Sequence, residues 1–91
     1  MKKTILITFT LFQPSFNQNR LIERIKSEGF WAKLGEATYL IKTLRTPIEV
    51  RDDLQTILTQ NDKLFVSIAP PPSAWFNLDN EVSKWILDNQ A

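Results

Sequence analysis

Apolar and polar residues alternate along the segment from Thr4 to Thr10. A period of two residues is typical of a β-strand, and it predicts a strand over residues 4–10 with one well-buried face. The residues expected on that face are Ile5, Ile7 and Phe9. Leu6 lies on the opposite face and indicates that this second face is partly covered too. We expect this strand to be central in a small sheet.

The apolar spacing becomes helical after Pro14 and predicts a helix that ends near residue 28. Its apolar stripe consists of Leu21, Ile22 and Ile25. Ser15 or Asn17 is the candidate for the capping residue at the helix start, because both side chains can accept hydrogen bonds from free backbone amides. Gly29 is suited to end the helix in a left-handed turn.

The sequence Thr46-Pro47-Ile48-Glu49 predicts the start of a second helix. A hydroxyl cap, a proline at the first helical position and a glutamate at the third satisfy free amides and complement the helix dipole. The core residues expected for this helix are Val50, Leu54, Ile57 and Leu58. Asn61 is the expected left-handed residue after its end.

Three other segments have the composition of strands: Phe30–Leu34, Ala37–Leu44 and Asp62–Ala69. The first two, separated by Gly35-Glu36, predict a hairpin. The residues of the last strand that we expect to face the core are Leu64, Val66 and Ile68. The order strand, helix, strand, strand, helix, strand predicts an α+β fold, a ferredoxin-like split βαβ sheet with both helices on one face.

We predict that residues 1–69 form the ferredoxin-like domain and that residues 70–91 form an additional C-terminal arm and helix. Pro70–Pro72 should run extended, because proline cannot join a strand ladder. The closing helix, expected over residues 80–89, carries an apolar side that consists of Val82, Trp85 and Ile86. These side chains need an apolar surface, and the second sheet face with Leu6, Leu40 and Phe65 offers one, in the same chain or in a partner.

The composition excludes several kinds of functional site. The chain has 91 residues, which fits one domain, and a second copy would add buried surface to so small a protein. It contains no Cys and no His, so disulfides, thiolate metal sites and imidazole catalysis are excluded. The N-terminal segment lacks the apolar core and cleavage site of a signal peptide. We therefore expect a cytoplasmic protein without a cofactor and without a membrane segment.

Charge is unevenly distributed along the chain. Residues 1–45 carry eight Lys or Arg and three Glu, a net charge of +5, whereas residues 46–91 carry a net charge of −4. Such asymmetry is typical either of a surface for an anionic partner or of ordinary solvated faces that folding intermixes. The residues that we take as candidates for contacting a DNA or RNA backbone are Arg20, Arg24, Lys26, Lys33, Lys42 and Arg45.

Several short segments, in order, resemble a known family. They are Ile7-Thr8-Phe9, Arg20-Leu21-Ile22, Ile25-Lys26, Trp31, Ala37–Thr43, Ile48, Arg51–Leu54, Asn61–Val66, Ala74-Trp75 and Trp85–Asn89. Together they resemble the small ferredoxin-like proteins related to the second CRISPR-associated adaptation protein, and among them the group labelled SinR family. The resemblance spans nearly the whole chain, although most of these residues are core or capping positions.

The resemblance implies a homodimer that packs sheet against sheet, with the segment after the fourth strand reaching across to the other copy. The interface residues that we predict are Leu6, Leu40, Phe65, Trp75 and Phe76. Nuclease members carry an aspartate directly after the aromatic residue of the first strand, where this chain has Thr10. A neutral hydroxyl is a poor ligand for a hard divalent metal. We therefore predict a non-catalytic scaffold with a role related to CRISPR or defence.

Two alternatives remain open at this point. The first is a metal-dependent endoribonuclease or deoxyribonuclease of the same family that uses Asp52, Asp53 or Asp62. The second is a protein-binding adaptor or toxin–antitoxin component, in which the extended segment Pro70–Phe76 docks its aromatic residues on another chain.

Overall fold

Four strands and three helices make up residues 1–89, the part of the chain that the computed structural model describes. They are β1 (Lys3–Thr10), α1 (Pro14–Lys26), β2 (Trp31–Gly35), β3 (Thr38–Thr43), α2 (Pro47–Gln55), β4 (Lys63–Ile68) and α3 (Asn80–Asn89). The strands form one antiparallel sheet in the order β2-β3-β1-β4. This arrangement with its C-terminal helix is ferredoxin-like, which confirms the predicted α+β fold.

The core lies between one face of the sheet and helices α1 and α2, and we call this face the helix face. Ile5 pairs with Ile41 across β1 and β3, and Ile7 pairs with Tyr39, so all four side chains point into the same layer. Leu21 and Ile25 of α1 and Val50 and Leu54 of α2 pack against them. The alternation in β1 was sufficient to predict this face, because it places every second residue on it.

The two helix starts differ. Thr46 and Glu49 form the predicted capping box, in which the Thr46 Oγ1 accepts a bond from the Glu49 amide and the Glu49 carboxylate accepts one from the Thr46 amide. Helix α1 begins at Pro14, after Gln13, which provides no side-chain cap. The prediction of a Ser15 or Asn17 cap was therefore wrong.

The predicted helix ends had different outcomes. Gly29 adopts a φ of 91°, which confirms the left-handed turn after α1. Asn61 does not have a positive φ, so the prediction made for it was wrong. Helix α2 ends earlier, at Gln55, and Asn61 lies in the loop that leads into β4.

Helix α3 packs on the opposite side of the sheet, the second face, within the same chain. The side chains of Ala32 and Leu40 point to this face and are buried, as is Ile86 of α3. The backbone carbonyl of Asn89 accepts hydrogen bonds from the Thr4 hydroxyl, at 2.9 Å, and from the Lys42 ammonium. Residues 90 and 91 of the predicted C-terminal segment lie outside the described residues.

Strand β4 is less covered than expected. Leu64 and Val66 pack against the core, as predicted. Ile68 is 47% exposed, so its placement in the core was wrong. It is the last residue of an edge strand, and no neighbouring strand covers its outer side. Within residues 1–89, no helix has the length and apolar content needed to cross a membrane.

Candidate interaction surfaces

Two of the six candidate phosphate-binding cations belong to an internal salt-bridge network. Arg24 of α1 contacts the Asp53 carboxylate of α2 at 2.5 Å, and Arg45 contacts the same carboxylate at 3.2 Å. Arg45 also forms a salt bridge with Glu28. The positive charges of two arginines are thus neutralised by two carboxylates where α1 and α2 meet. This network joins the helices and leaves little net positive charge there.

The protonation of Asp53 reflects these contacts. Partial burial opposes ionisation of its carboxyl group, but hydrogen bonds from Arg24 and Arg45 outweigh that effect, and the pKa of Asp53 is lowered. An ionised Asp53 accepts hydrogen bonds from both guanidinium groups. The two arginines therefore act first as links between elements of this chain.

The other four cations occupy different places. Lys42 points to the second face, where its ammonium bonds the end of α3. Lys26 lies over the Trp31 ring at 4.4 Å, and Arg20 lies over the Phe16 ring at 5.7 Å. Lys33 is 3.9 Å from the exposed carboxylate of Glu36. The fold therefore places the six predicted cations on opposite faces of the sheet and does not bring them together as one surface.

The predicted interface residues differ in exposure: some are buried within the chain and others are accessible. Leu40 is buried beneath α3 of its own chain, and Leu6, its partner in the β1–β3 pairing, is half-buried. Phe65 on β4 is 59% exposed and Phe76 in the arm is 90% exposed. Trp75 donates a hydrogen bond from Nε1 to the Ser83 Oγ at 3.1 Å, which ties the arm to the start of α3. Phe65 and Phe76 are thus the most accessible members of the set.

Exposed apolar residues adjoin the free edge of β4. Phe65 points to the second face, and Ile68 points to the helix face. Ile48, at the start of α2, lies beside a shallow groove that Phe65 also lines. We call Ile48, Phe65, Ile68 and the backbone edge of β4 the β4-edge surface. It is apolar on both sides of the sheet.

The backbone groups at this edge can be assigned from the ladder. The Ala69 amide donates to the Thr4 carbonyl at 2.9 Å, and the Phe9 amide donates to the Ala37 carbonyl at 3.1 Å. Because hydrogen-bonded residues alternate in an antiparallel pair, the even-numbered residues of β1 bond to β4. The amides and carbonyls of Leu64, Val66 and Ile68 therefore point away from β1 toward the free edge. Such an edge is a template for pairing with another strand.

The end of β1 does not fit a divalent metal. Thr10 stands where nuclease members of the resembled family carry an aspartate, and its cross-strand partner is Lys63. A neutral hydroxyl beside an ammonium group offers neither the anionic oxygen nor the potential that a hard cation needs. Within residues 1–89, no three carboxylates are grouped closely enough to hold a metal ion.

Asp62 holds three segments together. Its Oδ1 accepts a hydrogen bond from the Phe12 amide at 2.8 Å, and its Oδ2 accepts bonds from the Asn17 side chain at 3.0 Å and the Thr59 amide at 2.8 Å. The bonds from the Thr59 and Phe12 amides, with that from Asn17, lower the pKa of Asp62 to about 2. Its carboxylate thus fastens the β1–α1 loop and α1 to the loop before β4.

The remaining carboxylate of the nuclease alternative, Asp52, is paired with its neighbour Arg51 at 2.7 Å on the exposed side of α2. Asp53 accepts bonds from two arginines, and Asp62 accepts bonds from two backbone amides and Asn17. Each of the three acids is therefore bound to donors of this chain, and they face different surroundings.

Comparison with protein-family models, with curated proteins and with solved structures finds no match to this chain. The resemblance to CRISPR-associated adaptation proteins and the SinR family therefore stays a prediction. The ferredoxin-like arrangement is established independently of it, by the order and pairing of the strands.

Several surface residues were missed by the sequence analysis. Ile48 lies outside the apolar stripe of α2, and that departure from the helical spacing was a usable signal. Phe30 is 49% exposed and has the Lys2 ammonium over its ring at 4.3 Å. No sequence pattern links Lys2 to Phe30, because the contact depends on the pairing of three strands.

Proposed function

We propose that the protein is a non-catalytic homodimeric scaffold whose two copies associate through the β4-edge surface. The observation that carries the proposal is the free edge of β4 with exposed apolar side chains on both sides. Soluble monomers commonly protect such edges with charge, proline or a bulge. Here the strand begins with Lys63, but its remaining residues, Leu64 to Ile68, have none of these.

The position of α3 decides which part of the second face remains for a partner. This helix packs against β2, and its last carbonyl reaches Lys42 of β3 and Thr4 of β1; Leu40 of β3 is buried on this side. The half beside β4, with Phe65, stays accessible. Antiparallel pairing of β4 with β4 of a second copy would continue the sheet and place the two Phe65 side chains near each other. Such a two-fold contact uses the same patch on both copies.

The non-catalytic part of the proposal is supported by the surroundings of the carboxylates. Asp62 and Asp53 accept hydrogen bonds from amides and arginines that fix the fold. Thr10 and Lys63 stand together at the end of β1. A role in CRISPR or defence rests on the sequence resemblance alone. The adaptor and toxin–antitoxin alternatives rest on the arm, in which Phe76 is 90% exposed.

Light scattering after size exclusion tests the apolar part of this interface. We expect the native chain to have twice the 10.6 kDa mass of one copy. Phe65→Glu should give single copies, because it places two carboxylates opposite each other in a desolvated contact. Leu87→Glu is the matched control, since Leu87 is an exposed apolar residue of α3, outside the β4-edge surface. A native monomer, or equal dissociation by both variants, would contradict the proposal.

The backbone part of the interface needs a separate variant. Ile68→Pro removes an amide that points to the free edge and leaves the ladder to β1 intact. We expect it to weaken the dimer more than Ile68→Thr, which removes apolar surface but keeps the amide. Equal masses for the two variants would show that edge pairing is not used.

A further inference from the structure

A second surface lies along the opposite edge of the sheet, where lysines lie over aromatic rings. Its members are Lys2, Lys26, Phe30, Trp31 and Lys33, and we call it the β2-edge surface. The Lys2 ammonium is 4.3 Å from the centre of the Phe30 ring, and the Lys26 ammonium is 4.4 Å from that of Trp31. Strand β2 is the outermost strand on this side.

The positive charge of this surface is largely uncompensated. Among the described residues, neither Lys2 nor Lys26 has a carboxylate within salt-bridge distance. Lys33 approaches only Glu36, at 3.9 Å, and that carboxylate is almost fully exposed. Exposed pairs of this kind are weak. Glu28, two residues after Lys26 in the sequence, forms its salt bridge with Arg45. Three lysine charges therefore remain available to an anionic partner.

The Trp31 ring is held in place by the core, and the Phe30 backbone is held by the sheet. Trp31 is half-buried and lies 6.3 Å from Tyr39, which itself stacks on Phe9 in the core. The Phe30 carbonyl accepts a hydrogen bond from the Lys42 amide at 3.0 Å. The fixed Trp31 ring offers a stacking surface at a low ordering cost, and the neighbouring Phe30 is 49% exposed to a ligand. Phe30 and Trp31 point to opposite faces of the sheet, so the surface wraps around the edge.

We propose that the β2-edge surface binds single-stranded nucleic acid. Unpaired bases stack on fixed aromatic rings, and lysines beside those rings contact the backbone phosphates. The two lysines over the rings are exposed, and such contacts are weak in water. A base can therefore take the place of an ammonium over its ring while that lysine turns to a phosphate. The inference goes beyond the proposed dimer and does not depend on it.

Fluorescence anisotropy with labelled oligothymidylate and oligouridylate tests the charged part of this proposal. Lys26→Gln combined with Lys33→Gln should weaken binding about tenfold at low salt. It should also reduce the slope of log affinity against log salt by about 1.4, because each phosphate contact on a single strand contributes about 0.7. Lys63→Gln combined with Lys84→Gln is the control, because it removes the same charge outside this surface.

The aromatic part has its own test. Phe30→Ser should weaken binding while leaving the salt slope unchanged, since it removes stacking and no phosphate contact. A duplex of the same length should bind more weakly, because its bases are not available to stack. Three results would overturn the proposal: no binding of the native chain at low salt, equal loss in both lysine double variants, or duplex binding as tight as single-strand binding. Light scattering on the same samples shows whether a loss of binding is caused by dissociation of the dimer.

Discussion

Single side chains in this protein have roles that depend on contacts between distant parts of the chain. Asn17 is buried within α1 and donates hydrogen bonds to the Ile57 carbonyl, at 3.1 Å, and to Asp62. In the sequence it is indistinguishable from a helix cap. Its real partner is 45 positions away, and no local pattern indicates such a contact. The function of a polar residue was therefore less predictable here than that of an apolar one.

Asp62 provides the clearest residue-scale prediction. Its pKa is about 2 in the folded protein, below the ordinary value of 3.8. A carboxyl with a lowered folded pKa stabilises the fold above its unfolded pKa, and this contribution is lost as the pH falls through the folded value. The free energy of unfolding should therefore decrease between about pH 4 and pH 2. Urea unfolding at a series of pH values measures this dependence.

Asp62→Asn should remove that contribution. The variant should be less stable than the native chain at pH 7, and the difference should shrink toward pH 2, where the pH reaches the folded pKa and the native carboxyl becomes protonated. Asp52→Asn is the matched control, because among residues 1–89 the hydrogen bonds of that carboxylate come from the neighbouring Arg51 alone. A constant difference between Asp62→Asn and the native chain at all pH values would contradict the assigned role.

At the scale of elements, strands and helices were predictable where the signal is local. Strand β1 is predicted from the alternation of its own residues, and the start of α2 is predicted from Thr46-Pro47-Ile48-Glu49 alone. The start of α1 lacks such a signal, because no side chain caps it. The docking of α3 on its own chain could not be separated from docking on a partner, since the same apolar side suits both.

The capping box of α2 leads to a prediction about stability. Thr46→Ala removes the hydroxyl that accepts a hydrogen bond from the Glu49 amide, and it should cost about 1 kcal/mol. For a domain of this size, such a loss corresponds to a melting temperature lower by about 4–8 °C. Differential scanning calorimetry checks this value.

Ser15→Ala is the comparison at the other helix start. Ser15 lies in the first turn of α1 and is exposed, and it does not cap that helix. We expect this variant to stay within about 0.5 kcal/mol of the native chain. If both substitutions had the same effect, the capping box would not be what stabilises the start of α2.

For the whole molecule, the sequence was sufficient to predict the fold but not the surfaces. The order of elements restricts the topology to very few arrangements, so the ferredoxin-like sheet could be derived. The six candidate cations were chosen from net charge, and pairing within the fold occupies Arg24, Arg45 and Lys42. The β4-edge surface depends on which strand ends the sheet and which side α3 covers. Both are properties of the assembled chain.

Amide hydrogen exchange followed by NMR tests the proposed dimer most directly. The amides of Leu64, Val66 and Ile68 point to the free edge, so in a single copy they should exchange quickly. Pairing of β4 with a second copy predicts slow exchange of these amides at high protein concentration and faster exchange on dilution. The amides of Phe65 and Ser67, which bond to β1, should stay protected throughout. Rapid exchange at Leu64, Val66 and Ile68 at every concentration would contradict the account.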